Sequence, residues 1–276
     1  MSAAAAPALG AHVEQTDPIA EAQARQAPHV QFFLGDPQGY KGPEIRYAGG
    51  AAGGAAGLRA DAEAAGVGLY VHAPYIVNVA TTNNRIRIPS RKLLQQHLDA
   101  AAEIGARGLI VHGGHVENKS NDPEVIDKGF DNWRKAIEAT DLKVPLLIEN
   151  TAGGDNAMAR YLDRIKGVFD AVSAAEGRDQ VGFCLDTCHA HAGGIPLETV
   201  VDQIRAITGR IDLVHCNDSR DEFDSGADRH ANVGNGRIDP DLLAQVVREA
   251  AAPVVFETPG GADEHRADFE AIRSRL

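Results

Sequence analysis

Eight short apolar runs recur along this 276-residue sequence, and seven of them finish on an imidazole or a carboxylate. The terminal residues are His12, His72, His112, Glu149, Asp186, His215 and Glu257, each preceded by a stretch dominated by Val, Ile, Leu or Ala. One such residue is ordinarily structural: a lone His satisfies a carbonyl, a lone Glu pairs with an arginine. A whole set at equivalent positions resists that explanation. Converging carboxylates and imidazoles repel one another or shift their pKa values strongly unless cations lie among them. Divalent metal ions are the usual solution. Nitrogen and oxygen donors without paired thiolates favour Zn2+, with Mn2+ or Fe2+ also suited to the set. An ion held this way lowers the pKa of bound water and polarises a substrate oxygen, so the expected chemistry is metal-dependent hydrolysis.

Two clusters elsewhere in the chain extend the donor set. Asp186 and His189 stand three residues apart in the tetrapeptide DTCH. A helix or tight turn beginning there puts them on adjacent faces, able to reach different ions. Asp228, Arg229 and His230 lie in a long polar stretch, residues 217–237. In extended chain, residues two apart share one face, so Asp228 and His230 point the same way.

The elements that must position these groups are readable. The apolar runs fall at about 8–13, 29–34, 68–72, 107–112, 144–149, 181–186, 211–215 and 253–257, separated by segments of helical patterning. Alternating strands and helices imply a parallel sheet. Eight such units imply an α/β fold built as a single (β/α)8 TIM barrel, with the metal site at the C-terminal face of the strands. The expected organisation is a disordered tail over residues 1–7 and one catalytic barrel over 8–276. Ser90, after Pro89, is expected to cap a helix carrying Leu93, Leu94, Leu98 and Ile104 that stops near Gly105. Trp133 and Ile137 mark the inner face of another. The Ala/Gly stretch at 48–57 reads as a flexible surface loop.

Composition sets outer bounds. The cysteines, Cys184, Cys188 and Cys216, lack a second CxxC-like pair and read as reduced thiols. No apolar run is long enough to span a membrane, and the MSAAAAPAL start has no basic region of the signal-peptide kind. A cytoplasmic location is expected. The formal net charge of −12 argues by itself against nucleic acid, yet three divalent ions would halve it at a single place.

The segments VHAPYIVNVA (71–80), IVHGGH (110–115), LLIENTAGG (146–154), GFCLDTCHAHAGG (182–194), LVHCNDS (213–219), DRHANVGNG (228–236) and VVFET (254–258), in this order, make the chain resemble the endonuclease IV family of type 2 apurinic/apyrimidinic endonucleases. The resemblance spans about residues 8–260. It implies a DNA-repair enzyme that hydrolyses the phosphodiester 5′ to an abasic site in duplex DNA. The products would be a 3′-hydroxyl and a 5′-deoxyribose phosphate, with 3′-phosphodiesterase activity on blocked ends. It also implies three zinc ions per chain. His72 and His112 would bind one, and Glu149 would bridge it to a second completed by Asp186, His215 and Glu257. His189, Asp228 and His230 would bind the third, and metal-bound hydroxide would be the nucleophile. Glu149 is then the ligand central to catalysis. His12 resembles a supporting residue behind the ligands rather than a ligand. An enzyme of this kind can work as a monomer.

Contacts to the DNA are expected from the acid-free stretch 82–92, with Arg85, Arg87, Arg91 and Lys92, and from Arg229 and Arg237 near the third cluster. Tyr75 resembles the family's minor-groove residue. Relatives often place Arg where this chain has Gln38, and Tyr40 is the candidate to substitute for it. His191 is expected to be a spectator, and His29, His97 and His265 to belong to surface elements, while His115 ends a glycine loop. The alternative function is a metal-dependent sugar isomerase or epimerase of the same barrel type. Glu149, Asp186, His215 and Glu257 would serve it unaided, leaving His72, His112, His189, Asp228 and His230 without a task.

Overall fold

The computed structural model describes residues 7–50, 52–117 and 122–276. The tail expected over residues 1–7 therefore lies outside the described residues except for Pro7. All the expected strands form: β1 (Leu9–His12), β2 (His29–Phe33), β3 (Gly68–His72), β4 (Gly108–His112), β5 (Leu146–Glu149), β6 (Val181–Asp186), β7 (Leu213–His215) and, after a short ribbon, β10 (Val254–Phe256). They pair in parallel around a closed barrel in the order β1-β10-β7-β6-β5-β4-β3-β2, with β1 returning to β2. The ribbon, β8 (Asp218–Ser219) with β9 (His230–Ala231), is antiparallel and lies within the long polar stretch.

Strand periodicity creates two cores. Side chains alternate between the faces of a strand. Tyr70, Ile110, Leu147, Cys184, Leu213 and Val255 point into the barrel and form a core of their own. Their neighbours Val71, Leu109, Val111, Leu146, Ile148, Phe183, Leu185, Val214, Val254 and Phe256 join the larger core beneath the helices. The helices are α1 (Pro18–Arg25), α2 (Gly54–Ala65), α3 (Asn84–Glu103), α4 (Pro123–Glu138), α5 (Leu162–Ser173), α6 (Thr187–Gly193), α7 (Leu197–Thr208), α8 (Pro240–Ala250) and α9 (Ala262–Arg273). Trp133 on α4 is fully buried, and its indole N–H donates to Gly113 O at 2.9 Å, tying the helix to the chain just beyond β4. Among the described residues no helix is long and apolar enough to cross a membrane.

Three expectations are corrected. α3 begins at Asn84, before Pro89, because Asn83 caps it by accepting from Arg85 N at 2.9 Å. Pro89 lies inside the helix, where its missing N–H leaves Arg85 O without the usual partner. Ser90 Oγ instead accepts from Asn78 N at 2.9 Å and pins the β3–α3 loop. Residues 54–57 of the Ala/Gly stretch open α2, since Ala-rich sequence is a good helix former once Gly53 supplies the turn at φ +59°. Ala51 lies outside the described residues. His29, His97 and His265 are buried, not on the surface. Each finds a carbonyl: Val254 O at 2.7 Å, Leu93 O at 2.9 Å and Thr258 O at 2.9 Å.

His29 closes the bottom of the barrel against β1 and β10. Gly10 is required beside it, since a Cβ there would come within 2.3 Å of His29 O and 2.4 Å of its ring. Burial holds the imidazole neutral, pushing its pKa down from 6.5 to about 4; burial also lowers His97 and His265. Between these values the unfolded chain binds a proton that the folded chain refuses. The stability these groups contribute is thus full above pH 6.5 and is lost as the pH falls towards 4. His29→Gln, uncharged at every pH, should flatten this slope, removing up to about 3 kcal/mol of the stability change across the window. Urea unfolding at several pH values across the window measures it, and an unchanged slope would refute the assignment.

Candidate metal centre

The donors at the mouth follow from strand parity. His72, His112, Glu149, Asp186, His215 and Glu257 each stand two residues beyond an inward-facing core residue, respectively Tyr70, Ile110, Leu147, Cys184, Leu213 and Val255. They therefore point inward as well, one layer higher. Their ligand atoms converge. His72, His112 and Glu149 form one group, Glu149, Asp186, His215 and Glu257 a second, and His189, Asp228 and His230 a third, with the atoms of each within 4.8 Å of one another. Glu149 divides its oxygens between the first two. Oε2 lies 3.1 Å from His72 Nε2 and 3.4 Å from His112 Nε2, while Oε1 lies 3.0 Å from His215 Nδ1.

The third group comes from loops. Asp186 caps α6, its Oδ1 accepting from His189 N at 2.6 Å, so the helix starts where the DTCH spacing needs it. His230 arrives on β9. The stretch carrying it is held by buried Asp218, whose carboxylate accepts from the backbone N–H of Gly234, Gly236 and Ile238 at 2.9–3.0 Å. His189 Nε2 and His230 Nε2 each lie 3.2 Å from Asp228 Oδ1.

Four of the five imidazoles are oriented from behind. His72 Nδ1 bonds Ala73 O at 2.7 Å, His189 Nδ1 bonds Asn150 O at 2.9 Å, and His230 Nδ1 approaches Glu257 O at 3.3 Å. His215 Nε2 bonds Gln31 Oε1 at 2.8 Å. In each case the other nitrogen faces the carboxylates. This is the arrangement of metal-binding histidines, whose second N–H goes to an oxygen acceptor.

The electrostatics call for cations. Burial disfavours the charged form of Glu149, yet the imidazoles of His215 and His112 outweigh it and hold its carboxyl well below the usual range. Burial opposes protonation of His189, but Asp186 and Asp228 raise it well above the ordinary value. Burial likewise opposes protonation of His215 and His230. Cys184, Glu257 and Glu149 nonetheless hold His215 high, and Asp228 and Asp186 push His230 up to about 9. Protons thus occupy the places that divalent ions would take. The donor set fits such ions on a second count. His189 Nε2 and His230 Nε2 are buried without a hydrogen-bond partner although both face one carboxylate oxygen. That is the geometry of donors aimed at a common point between them. Cys188 also falls within reach of Asp186 and His230, and burial pushes its thiol up to about 12. His12 stands outside the groups, its Nδ1 3.6 Å from Glu257 Oε1.

A cleft of about 590 Å3 opens over the groups, lined by Gln38, Tyr75, His112, Arg220, Asp228, Arg229, His230 and Pro259. Tyr75 is 44% exposed and packs its ring 5.5 Å from His112 and 5.6 Å from His72. Gln38 shares the rim, but Tyr40 lines a separate hollow with Ile88, Pro89 and Lys92. Arg85 is exposed at the start of α3. Arg87 is drawn inward, bonding Asn132 Oδ1 at 2.7 Å and Asn84 Oδ1 at 2.5 Å, and Arg91 bonds Asn132 O at 3.1 Å. Arg229 forks onto the Asp221 carboxylate, and Arg237 lies 3.4 Å from Glu222. His191 Nε2 meets Asp221 O at 3.2 Å, and His115 is exposed beside the Gly153–Gly154 loop.

A family described as xylose isomerase-like TIM barrel matches residues 19–275. A curated "Probable endonuclease 4" from Mycobacterium tuberculosis is 55% identical over 260 residues, covering 94% of this chain and 95% of its own. That from Mycobacterium marinum is 52% identical over 269 residues, covering 97% and 98%. The chain belongs to the endonuclease IV family. The crystal structure of endonuclease IV from Thermus thermophilus superposes with a TM-score of 0.80 at 26% identity, covering 98% of this chain and 99% of that one. A D-tagatose 3-epimerase-like protein superposes at 0.75 with 17% identity over 98% of this chain and 97% of that one, a likeness of fold alone.

The endonuclease IV frame contains amides that sequence reasoning misses. Asn150 brackets Asp186, its Nδ2 donating to Asp186 O and its Oδ1 accepting from Asp186 N at 2.9 and 2.8 Å. Asn217 Nδ2 donates to Asp186 Oδ2 at 2.7 Å, and its Oδ1 accepts from Glu257 N at 2.8 Å. The available signal is position: each directly follows or nearly follows a strand-end donor. Because the raised histidines hold protons at neutral pH, metal uptake must displace them. Titration of Zn2+ into chelator-stripped protein at pH 7.5, in buffers of differing ionisation enthalpy, should show net proton release and a rise in Tm. Uptake without proton release would refute this account of the site's charge.

Proposed function

We propose that this chain is a DNA-repair hydrolase that cleaves the phosphodiester 5′ to an abasic site in duplex DNA. The products are a 3′-hydroxyl and a 5′-deoxyribose phosphate, and 3′-blocked ends are a second substrate. It acts as a cytoplasmic monomer with three zinc ions per chain. The observation that carries the reading is the third donor group, His189, Asp228 and His230, beside the two that share Glu149. A sugar isomerase needs one ion on Glu149, Asp186, His215 and Glu257, and it leaves that group and the His72–His112 pair unused. Family membership adds the nuclease class.

His72, His112 and Glu149 would hold one ion, Glu149, Asp186, His215 and Glu257 a second, and His189, Asp228 and His230 the third. Bound divalent ions supply Lewis acidity and water activated near neutral pH. The protein's own part is placement. Glu149, whose Oε2 faces His72 and His112 and whose Oε1 faces His215, would serve the first two positions at once. The carbonyls of Ala73, Asn150 and Glu257 keep three rings from turning. Asp228, 53% exposed in its side chain, puts the third position where a phosphate entering the cleft arrives. Tyr75 and Gln38 on the rim face the nucleotides flanking the lesion. Arg229 reaches phosphate by exchanging its Asp221 partner.

Duplex oligonucleotide with one abasic site should be nicked to a 3′-hydroxyl end without added Mg2+. Failure of metal-loaded protein to nick would overturn the reading. Glu149→Gln should keep the circular dichroism of the barrel and lower kcat by about a thousandfold, equivalent to roughly 4 kcal/mol. Near-normal turnover would remove its bridging role.

A further inference from the structure

β2 ends on neither an imidazole nor a carboxylate, yet it reaches the site from one layer below. Gln31 lies in its middle, fully buried and level with His12 on β1 and Tyr70 on β3. Its amide directs every polar group at the site. Oε1 lies 2.8 Å from His215 Nε2, and Nε2 donates to Glu257 Oε1 at 2.7 Å and meets His12 Nδ1 at 3.0 Å.

The direction of this amide follows from chemistry. An ionised carboxylate only accepts hydrogen bonds. The NH2 of Gln31 must therefore face Glu257, which turns Oε1 towards His215. An oxygen there demands that His215 carry its proton on Nε2. The proton an ion would displace is then the one on Nδ1, the nitrogen directed at Glu149, Glu257 and Asp186, at 3.0, 3.3 and 3.9 Å. The other imidazoles held from behind rest on backbone carbonyls, which no substitution removes. The acceptor behind His215 is a side chain. Glu257 is held on its second oxygen by Asn217 Nδ2, at the longer distance of 3.4 Å.

We propose that Gln31 is the positioning residue of the second donor group, selecting the nitrogen that His215 presents and holding Glu257 towards it, and that His12 acts on the site through Gln31. This rests on the reading of Glu149, Asp186, His215 and Glu257 as a divalent-ion site. Gln31 touches neither substrate nor ion. Loss of its amide should weaken one ion selectively and leave the group of His189, Asp228 and His230 intact.

The test uses zinc-loaded protein. Gln31→Met keeps the volume and removes the hydrogen bonds. Gln31→Glu keeps an acceptor for His215 but sets a like charge against Glu257. After dialysis against graded chelator, both variants should lose one ion per chain at about 10- to 100-fold lower chelator activity than wild type, with the remaining ions retained as in wild type. A wild-type retention curve for Gln31→Met would overturn the proposal, since packing alone would then suffice. Ring 15N shifts of zinc-loaded wild type, with His215 assigned by substitution, should place its proton on Nε2. A proton on Nδ1 would overturn the proposal even if neither variant folds. Wild-type protein that binds no zinc, or one ion only, would instead sink the underlying three-ion reading, and is told apart by needing no variant.

Discussion

A carboxylate with no exposure to water, Glu149, sits at the centre of this molecule among four imidazoles and near two further carboxylates. Burying such a group is costly unless positive charge surrounds it. The barrel meets that requirement by geometry: parallel strands in register bring their ends to one face, and parity turns the donors inward together. β4 and β5 pair His112 with Glu149, and β6 and β7 pair Asp186 with His215. A slip of one residue in any of these registers would turn a donor outward into the helix layer. The two nested cores therefore hold the register on which the charge balance depends.

Labour is divided by the rigidity each donor needs. The donors of the first two groups come from strand ends, where backbone hydrogen bonds fix the Cα positions. The third group comes from α6 and from the polar stretch, and both are anchored by carboxylates bonded to backbone N–H. Asp186 is donor and helix cap at once, so the helix that carries His189 cannot move independently of the second group. Asp218 plays the corresponding part under His230, with Asp268 accepting from Val233 N at 2.8 Å a few residues on. Carboxylates thus recur in two roles, facing the cavity or facing the backbone, and the difference is made by which groups surround them.

That distinction explains what is legible in the sequence. Strand-end donors stand out because apolar alternation fixes both the strand and its inward face. The DTCH and DRH spacings extend the pattern by local geometry. Gln31 carries no such mark: it interrupts an apolar strand at an interior position, where a polar residue reads as noise. Asp218 looks like any loop acid until the backbone folds over it. The burial of His29, His97 and His265 is hidden because a neutral imidazole with a carbonyl partner is as buriable as an apolar residue, and no periodicity distinguishes the two. Pro89 misdirects the start of α3 because Asn83, a stronger cap, lies beyond the window a proline suggests. Arg87 reads as a free cation, and only Asn132, from a different helix, draws it inward.

The guanidinium groups bear on how an acidic protein could hold DNA. Arg220 and Arg229 line the cleft, but Arg220 Nε is bound to His230 O at 2.9 Å and Arg229 is forked onto Asp221. The charge of Arg229 is thus paired, while Arg220 is fixed in place by a neutral carbonyl and keeps its charge. The carboxylates of the donor groups lie directly beneath, so the side chains of the cleft alone offer a phosphate little attraction. Ions at the three proposed positions would reverse that sign at the point of reaction, while leaving the rest of the surface acidic. On this reading the metal set is part of the DNA-binding surface as well as of the chemistry. Substrate affinity and metal loading then become one linked equilibrium, and the net charge of −12 ceases to conflict with a nucleic-acid substrate.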